Sequence, residues 1–495
     1  MIRLSRPLFL WALALALTCS GAAVRAADVE FDGDSIEQAV VNIEVTSQRA
    51  DWFSPWQDQR LVQASGSGFL IGPHRIMTNA HVVSDSKQIV VRRSAQSQVY
   101  FAQVEFIAHD GDLAILKIAD PEFDRGVTPL AIGDLPSLRS RVRTYGFPAG
   151  GDRISRTEGV VSRIQFITYL HSGVDNHLAV QTDSAINPGN SGGPVMQEGK
   201  VVGVAFQTNT RLAGVGFFIP APVIKRFLAD IGDGRYDGYS ELGVATSNLL
   251  NPMYRDFLGM PSDVQGVVVD RVLPHSSAEG LVEPGDVLLA VDDHPISFDG
   301  NIQYFGYNLN FDQIAEQKQI GEALKVTLWR KLRRMEVTIP LKGLPDAERI
   351  RSRFDVAPEY LIYAGFVFMP LDQEYLNTFG NFWQSADKHL LYAHFFRPVE
   401  EPSAPVGSVV LTRVLPASLN RGYRNLANSI VSTVNGQPIA TLSELDKALS
   451  GAKGATIEIT LQPGGVQVVL EREAARRAHA EILASYGIAR DRRLP

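Results

Sequence analysis

The chain has 495 residues, of which 20% are charged, and a formal net charge of −7. This length predicts about three domains, and the composition is that of an ordinary globular protein. An acidic chain without basic runs lacks the electrostatic footprint of a nucleic-acid-binding protein, so no nucleic-acid partner is expected. The single cysteine, Cys19, excludes a disulfide framework and a cysteine metal site from the rest of the chain.

The first 26 residues have the pattern of an export signal. Arg3 and Arg6 precede an apolar run from Leu8 to Leu17, and the segment ends at Ala26. We predict cleavage after Ala26. A retained anchor helix is the alternative, but the apolar run is too short to cross a bilayer comfortably. No other segment of the sequence is long and apolar enough to predict a stable membrane span.

Three segments further along carry candidate catalytic residues. In the first, two apolar runs of strand character flank a turn, and His81 follows the second run within TNAHVV. In the second, HDGDLAILKI, Asp112 opens another apolar strand. In the third, NPGNSGGPV, Ser191 lies in a glycine-rich turn. The order His81, Asp112, Ser191 is one of the known chain orders of a Ser-His-Asp triad.

The chemistry of peptide hydrolysis explains why three such residues occur together. A free serine hydroxyl is a poor nucleophile, and a neutral imidazole activates it by taking its proton. A carboxylate then orients the imidazole and stabilises its cation. We assign Ser191 as nucleophile, His81 as general base and acid, and Asp112 as orienting carboxylate. Asp110 is the rival carboxylate, but Asp112 directly precedes the apolar run.

The turn around Ser191 also predicts an oxyanion hole. Glycines allow backbone conformations that residues with a Cβ avoid, and they let a substrate carbonyl approach. The hole is expected to consist of Gly189, Asn190 and Ser191, with the amides of Gly189 and Ser191 converging on one point. Nothing in this chemistry requires a metal or cofactor, so none is expected.

These segments resemble the signature blocks of the Deg/HtrA family of serine endoproteases. TNAHVV, HDGDLAILKI, NPGNSGGPV and, as a last barrel strand, GVGFFIP carry the resemblance, which covers roughly residues 35–230. It implies a mainly β fold with a chymotrypsin-like double β-barrel, and a homo-oligomer built from trimers. Asn190 precedes the nucleophile where digestive serine proteases have aspartate, which argues against activation by a newly cleaved N-terminus. The long loop with Trp52 and Trp56 is expected either to contact a neighbouring subunit or to pack on its own barrel.

Residues near the nucleophile predict the specificity pocket. Ala185, six residues before Ser191, is expected at its base beside Ile186, and the opposite wall is expected to come from Phe206, Gln207 and Thr208. Such a pocket is shallow and apolar, and favours Val, Ala or Ile before the cut bond. Asp183 is the alternative, because a shifted loop would place its charge in the pocket and favour Lys or Arg.

A repeat follows the protease segment. RVLP at residues 271–274 recurs at 413–416, and Pro-Ile follows each copy after 24 or 25 residues. The spacing indicates two similar domains rather than a solenoid. Both copies resemble α/β PDZ domains, the second being divergent because a long insertion follows its first strand. In the first copy the loop of Glu241, Leu242, Gly243 and Val244 resembles a carboxylate-binding loop, which would hold the C-terminus of a peptide.

The resulting expectation is an exported, ATP-independent serine endopeptidase, most simply periplasmic, that degrades or processes unfolded or damaged envelope proteins. The alternatives are a PDZ-based chaperone or scaffold with a latent protease domain, and a processing protease that cuts one partner. The predicted domains are a signal peptide (1–26), a trypsin-like protease domain (27–235), a first PDZ domain (238–342), a linker (343–358), a PDZ-like domain with an insertion (359–472) and a charged helical tail (473–495).

Overall fold

The computed structural model describes residues 33–494, apart from 149–150, 152, 209–214, 344–351 and 402–406. The predicted signal peptide, residues 1–26, lies outside the described residues. The mainly β fold class is confirmed, with two closed six-stranded barrels followed by two smaller sheets.

The first barrel follows a short helix, α1, and closes in the strand order β1-β2-β3-β6-β5-β4. Its strands are apolar on the inward face, as in β6, where five of six residues are buried. A one-turn helix, α2, follows β3. The elements are α1 (Gly33–Ala39), β1 (Val40–Ser47), β2 (Val62–Gly72), β3 (Arg75–Thr78), α2 (Ala80–Val83), β4 (Ser86–Arg93), β5 (Val99–Ala108) and β6 (Leu113–Ile118).

The second barrel repeats this closure in the order β10-β11-β12-β9-β8-β7. The buried side chains of both barrels form one continuous hydrophobic cluster, so the two barrels pack as a unit. The elements are β7 (Arg141–Gly146), β8 (Ser155–Thr168), β9 (Asn176–Thr182), β10 (Pro194–Gln197), β11 (Lys200–Thr208), β12 (Gly216–Pro220) and the helix α3 (Ala221–Asp230).

The third unit contains the sheet β13-β14-β15-β19-β20, in which β16 pairs with β15 and β13 is an edge strand. A separate hairpin, β17-β18, precedes its helix α5. The elements are β13 (Val244–Asn248), α4 (Pro252–Phe257), β14 (Val267–Val272), β15 (Val287–Val291), β16 (His294–Pro295), β17 (Asn301–Tyr304), β18 (Tyr307–Asn310), α5 (Asp312–Gln317), β19 (Ala323–Arg330) and β20 (Arg333–Pro340).

The fourth unit has the sheet order β27-β26-β24-β23-β22-β21-β28, with β25 paired to β24. The elements are β21 (Tyr360–Tyr363), β22 (Phe366–Pro370), α6 (Gln373–Asn377), α7 (Phe382–Ser385), α8 (Lys388–Leu391), α9 (Arg397–Glu400), β23 (Val409–Val414), β24 (Ser429–Val434), β25 (Gln437–Pro438), α10 (Leu442–Ser450), β26 (Thr456–Gln462), β27 (Val466–Glu471), α11 (Arg472–Ser485) and β28 (Arg492–Arg493). The insertion in this unit is therefore largely helical.

The two smaller sheets share one topology. The third unit's order β13-β14-β15-β19-β20 corresponds strand by strand to β22-β23-β24-β26-β27 of the fourth, and β16 corresponds to β25. The two copies of the sequence repeat therefore belong to two sheets of the same topology. We call the third unit the first PDZ domain and the fourth the second PDZ domain.

The second PDZ domain differs from the first at the strand that would pair with a peptide. Its β22 is covered by β21, which pairs with it antiparallel through a two-residue turn. Ala364 and Gly365 form that turn with φ of 50° and 87°, the left-handed geometry of a tight hairpin. The run from Ala364 to Val367 is therefore a hairpin and not an open carboxylate loop, whereas β13 of the first PDZ domain keeps a free edge among the described strands.

The loop that carries Trp52 packs on the second PDZ domain of the same chain, not on its own barrel as one of the two alternatives expected. Trp52 is only 6% exposed and packs in a cluster with Tyr360, Val367 and Ile482 of the second PDZ domain of the same chain. Arg413 reinforces this contact, because its guanidinium lies 3.6 Å from the ring centroid of Phe53. Over the part of the chain that the structure describes, no helix has both the length and the apolar character that crossing a membrane requires.

Candidate active site

His81 and Asp112 meet at the rim of the first barrel. The helix α2 presents His81, and Asp112 occupies the turn before β6 with φ of 49°. His81 Nδ1 lies 2.7 Å from Asp112 Oδ2, and the backbone N–H of His81 donates to Asp112 Oδ1 at 2.9 Å. Asn79 Nδ2 donates to the Asp112 carbonyl at 2.9 Å. This network fixes both the ring orientation of His81 and the tautomer that leaves Nε2 directed away from the carboxylate.

The rival carboxylate, Asp110, has other partners. Its Oδ1 accepts a hydrogen bond from the Tyr236 hydroxyl at 2.6 Å and from the Gly111 N–H at 3.0 Å. Tyr236 belongs to the segment that connects the second barrel to the first PDZ domain. Asp110 therefore anchors that connection, and Asp112 is the carboxylate that contacts His81.

Burial and charge act in opposite directions on His81. Burial disfavours the imidazolium, but the charge of Asp112 and its hydrogen bond outweigh that effect and raise the pKa of His81 above its usual value. Burial also acts to raise the pKa of Asp112, but the attraction to His81 prevails and the pKa of Asp112 is lowered. The pair is thus suited to hold Asp112 ionised while His81 accepts a proton.

Ser191 lies in the turn before β10, on the second barrel. Ser67 of β2 holds this turn: its N–H donates to the Ser191 carbonyl at 2.8 Å and its Oγ to the Gly189 carbonyl at 2.7 Å. Gly192 adopts φ of 85°, and a Cβ there would lie 2.1 Å from the Ser67 carbonyl oxygen. The Ser191 hydroxyl donates to the Phe206 carbonyl at 3.3 Å, so in this state it is turned toward β11.

The amides of the turn divide into two kinds. The Asn190 N–H donates to the Asn187 carbonyl at 2.9 Å, closing a tight turn. Because its N–H is used within the turn, Asn190 would shape the predicted oxyanion hole and not donate to the oxyanion. The N–H groups of Gly189 and Ser191 make no hydrogen bond with any described residue, so they remain available for an oxyanion. The Asn190 side chain is buried and donates to the Ala185 carbonyl at 3.4 Å.

The expected pocket residues lie on two sides of Ser191. Ala185 is exposed and Ile186 is buried. Phe206 is only 4% exposed, because its ring packs against Tyr169 at 4.7 Å between centroids. The Phe206 ring therefore does not form an open wall of the pocket in this state. The group of Phe206 that contacts Ser191 is its backbone carbonyl. The backbones of Gln207 and Thr208 continue β11, and their side chains lie outside the described part.

The alternative pocket residue, Asp183, is held elsewhere. Its Oδ1 accepts a hydrogen bond from the Val160 N–H of β8 at 2.6 Å. A Cβ at Gly159 would lie 2.5 Å from the same oxygen, so glycine at that position lets the carboxylate lie along the strand. Asp183 therefore has a structural contact that keeps it on β8.

Two histidines that the sequence did not single out lie beside the triad. The ring of His171 is 6.3 Å from that of His81, and its Nε2 lies 3.0 Å from Nδ1 of His109. Phe354, from the segment between the PDZ domains, stacks on His171 at 4.0 Å. His109 lies only three residues before Asp112 in the sequence, and this spacing could have predicted that it lies near the triad. No local signal exists for Phe354, because its contacts join distant parts of the chain.

The expected carboxylate loop of the first PDZ domain precedes the edge strand β13. Leu242 is buried in the domain core, Val244 is half-buried, and Gly243 adopts φ of 73°. The Gly243 carbonyl accepts from the Leu273 N–H at 2.8 Å, and the Glu241 carbonyl from the Ser277 Oγ at 2.6 Å. The N–H groups of Leu242 and Gly243 bond to no described residue, which leaves two donors for a carboxylate.

Two family descriptions match the chain. "Trypsin-like peptidase domain" matches residues 66–204, which contain His81, Asp112 and Ser191. "PDZ domain" matches residues 350–493, which is the second of the two small sheets. The first small sheet shares its topology with the second, and both therefore have the PDZ fold.

Relatives of known name span nearly the whole chain. Protease Do-like 2, chloroplastic, of Arabidopsis thaliana is 35% identical over 473 residues, covering 92% of this chain and 75% of the relative. Protease Do-like 4, mitochondrial, of the same plant is 33% identical, covering 92% of this chain and 85% of the relative. A solved structure of a variant of the HtrA-type protease AlgW with a decapeptide has a TM-score of 0.50 and 23% identity, covering 63% of this chain and 97% of that one. This structural likeness concerns the fold.

Proposed function

This chain belongs to the Deg/HtrA family of serine endopeptidases, and from that premise we propose that Ser191, His81 and Asp112 carry out its peptide-bond hydrolysis. The observation that carries the proposal is the pair of contacts from Asp112 to the ring and the N–H of His81, at 2.7 and 2.9 Å. They hold one imidazole nitrogen toward the carboxylate and leave Nε2 for the serine.

The reaction begins with a rotation about the Cα–Cβ bond of Ser191, which moves its hydroxyl from the Phe206 carbonyl toward His81. The oxygen attacks the substrate carbonyl carbon while its proton passes to His81 Nε2. The oxyanion accepts hydrogen bonds from the N–H groups of Gly189 and Ser191. His81 then gives the proton to the leaving amine, and an acyl-enzyme remains.

Water completes the cycle. It attacks the acyl carbon, its proton passes to His81, and the proton returns to Ser191 when the acid product leaves. Asp112 remains ionised throughout and stabilises the imidazolium. Every proton in this scheme moves between substrate, water and residues of the chain, so the scheme uses no cofactor.

Digestion of an unfolded model protein tests the assignment. We expect the wild-type chain to cleave it and Ser191→Ala to lose cleavage by roughly 10⁴–10⁶-fold, since the hydroxyl supplies chemistry. Ser137→Ala, at an exposed position in the segment that precedes β7, is the matched control and should retain full activity. Binding of the substrate by the wild-type chain without cleavage would favour the alternative of a PDZ-based scaffold with a latent protease domain.

The pocket proposal follows from Ala185 and Asp183. Because Ala185 is uncharged and Asp183 is hydrogen-bonded to β8, cuts are expected after Val, Ala or Ile rather than after Lys or Arg. Discrimination among these residues should be modest, since one methylene is worth about 1–3 kcal/mol. Mapping the cut sites in an unfolded protein by mass spectrometry tests this, and cuts mainly after Lys or Arg would assign the pocket to Asp183.

The first PDZ domain is the proposed binding site for a peptide C-terminus. A peptide would add to the edge of β13, with its carboxylate on the N–H groups of Leu242 and Gly243. Since β21 already covers β22 in the second PDZ domain, one peptide should bind per chain. Calorimetry with a free and an amidated peptide tests both statements. Equal affinities, or two peptides per chain, would contradict them.

The compartment and the substrates are proposed together. The signal pattern supports export, with the periplasm as the compartment and unfolded or damaged envelope proteins as substrates. N-terminal sequencing of the exported protein should begin at Ala27. A mature chain that retains residues 1–26 would contradict the proposed cleavage.

The assembly is proposed as a trimer or a multiple of trimers, on the family relationship alone. Light scattering of the mature protein measures its mass directly. A mass that is three times that of one chain, or a multiple of this, supports the assembly, and a monomer or dimer contradicts it.

A further inference from the structure

A pair of histidines bridges the two barrels beside the triad. His109 belongs to the turn between β5 and β6 of the first barrel, and His171 to the loop between β8 and β9 of the second. Their ring nitrogens lie 3.0 Å apart, and the His171 ring is 6.3 Å from that of His81. A substrate whose scissile bond reaches both Ser191 and His81 would therefore lie next to the histidine pair.

The position of the pair relative to Ser191 identifies which part of a substrate would meet it. His171 follows Tyr169 in the same loop, and Tyr169 packs on Phe206, whose carbonyl contacts the Ser191 hydroxyl. The histidine pair therefore lies near β11, the strand whose residues Phe206, Gln207 and Thr208 are expected to form one wall of the primary pocket. A side chain that reaches it would come from a residue N-terminal to the cut bond.

The space against the histidine pair is occupied by the chain itself. The ring of Phe354 stacks on His171 at 4.0 Å with an interplanar angle of 22°, and on His109 at 5.0 Å and 28°. Stacked geometry of this kind selects flat rings over aliphatic groups of similar size. Phe354 thus shows that the surface formed by the two imidazoles, which we call the histidine slot, accepts an aromatic side chain.

Polar contacts hold Phe354 in place from the next residue. Asp355 Oδ2 lies 3.0 Å from Nε2 of His109. The backbone N–H of Asp355 donates to Asp85 Oδ1 at 2.8 Å, and that of Asp85 donates to Asp355 Oδ1 at 2.6 Å. Arg49 pairs with Asp85 at 3.3 Å and lies 5.0 Å from the Phe354 ring. These hydrogen bonds and ion pairs lie at a partly exposed site. Water can therefore replace them when Phe354 leaves the histidine pair.

The protonation state of His171 fits an aromatic occupant. Its Nε2 lies 3.0 Å from Nδ1 of His109, whose Nε2 lies 3.0 Å from Asp355 Oδ2. Burial lowers the pKa of His171 to about 4, and the nearby basic groups His109, His81 and Arg49 act in the same direction, whereas Asp112 acts to raise it. The His171 ring is therefore neutral in the pH range in which His81 can act as a base.

From this geometry we propose that the histidine slot is a substrate subsite for an aromatic side chain N-terminal to the cut bond, and that Phe354 is its resident occupant, which such a substrate must displace. The proposal rests on the proposed triad, because the triad defines the cleft and its direction. It gives the segment between the PDZ domains a role in substrate selection.

Kinetics with paired peptides test the proposal. The peptides share one cut site and carry either Phe or Ala at the second, third or fourth position before it. In the wild-type chain the best Phe peptide should have a kcat/KM at least fivefold above its Ala counterpart. Phe354→Ala should lower KM for that Phe peptide at least fivefold and change KM for the Ala peptide less than twofold, because only the former competes for the slot.

Three further variants sharpen the result. Val356→Ala, at an exposed position two residues away, is the matched control and should leave both KM values unchanged. His171→Ala should abolish the preference for Phe. Where Phe354→Ala does not fold, Phe354→Leu replaces it, since an aliphatic side chain fills space without stacking.

Each outcome has one meaning. Equal KM changes for both peptides would show that Phe354 only closes the cleft, and unchanged KM values would show that substrates avoid the slot; either overturns the proposal. Labelling of Ser191 by a small fluorophosphonate needs the triad but not the slot. Labelling that is intact together with absent Phe selectivity would therefore refute the subsite alone, whereas absent labelling would refute the proposed function.

Titration of His171 gives a second readout. By NMR with ring-labelled histidine, its midpoint should be near pH 4 in the wild-type chain and should rise toward the ordinary histidine value in Phe354→Ala, because the ring becomes exposed. Addition of the Phe peptide to that variant should lower the midpoint again. An unchanged midpoint would show that Phe354 does not cover His171 in solution.

Discussion

Burial and the carboxylate of Asp112 have opposite effects on the pKa of His81. Burial alone would depress its basicity, but the contact with Asp112 reverses the sign and raises its pKa. Since the base form is required, kcat/KM should fall with decreasing pH at a midpoint above the usual histidine value of about 6.5. A pH profile on a peptide substrate measures this. A profile that is flat down to pH 5 would show that His81 is not the base.

Sequence could identify the triad because each member lies in a contiguous block with its own local pattern. The block HDGDLAILKI also separates Asp112 from Asp110, since only Asp112 abuts the buried strand. Phe354 could not be identified in this way, because its contacts with His109 and His171 depend on how a distant segment folds back onto the barrels. Nor could sequence reveal that the Asn190 N–H is used within its own turn.

At the scale of elements, the hairpin β21-β22 distinguishes the two PDZ domains. The sequence repeat begins at residue 413 and gives no signal for the four-residue strand β21, which has no counterpart in the first PDZ domain. Only its pairing with β22, and that of β28 with β21, shows that the peptide-binding edge is filled. The hairpin depends on the turn at Gly365.

Substitution of Gly365 tests the hairpin. Gly365→Ala should destabilise the second PDZ domain, because φ is 87° and the new Cβ would lie 2.7 Å from the Leu415 carbonyl oxygen. Gly436→Ala is the matched control, with φ of 78° and open space around its Cβ. We expect about 1 kcal/mol for the control and more than twice that for Gly365→Ala in urea unfolding. Equal losses of unfolding free energy in the two variants would mean that the turn at Gly365 accommodates the new Cβ without strain.

At the scale of the whole molecule, the protease and first PDZ domains share a buried polar contact. Arg226 of α3 is 3% exposed, donates to the Glu316 carbonyl at 2.7 Å and lies 4.0 Å from the Tyr239 ring. The Glu316 carboxylate in turn lies 3.1 Å from Nδ1 of His177, on β9. Three domains were predictable from length and repeats, but these contacts were not, because they join residues with no shared local pattern.

The His177–Glu316 pair predicts a pH dependence of stability. Burial acts to lower the pKa of His177, but the carboxylate of Glu316 prevails and raises it. Burial raises the pKa of Glu316, and His177 only partly offsets this. Both groups hold protons more tightly in the folded state. The contribution of His177 is present below about pH 6.5 and is lost as pH rises through its raised pKa, whereas that of Glu316 is full only below about pH 4.5 and is lost as pH rises through its own raised pKa.

Unfolding midpoints at pH 6, 7 and 8 measure this dependence. The wild-type midpoint should fall with rising pH more steeply than that of Glu316→Gln, in which no carboxylate raises the pKa of His177. Glu122→Gln is the matched control, because its ion pair with Arg125 is exposed on both sides, and it should follow the wild-type slope. Parallel slopes for Glu316→Gln and the wild type would exclude the pair as the cause.

Covalent labelling tests the triad most directly. A fluorophosphonate reacts with a serine only when a neighbouring base activates it, and mass spectrometry locates the modified residue. We predict a single label on Ser191, loss of labelling in His81→Ala, a slower rate in Asp112→Asn, and an unchanged rate in Asp110→Asn, since only Asp112 contacts His81. A label on another serine, or equal labelling in the wild-type and His81→Ala chains, would contradict the account.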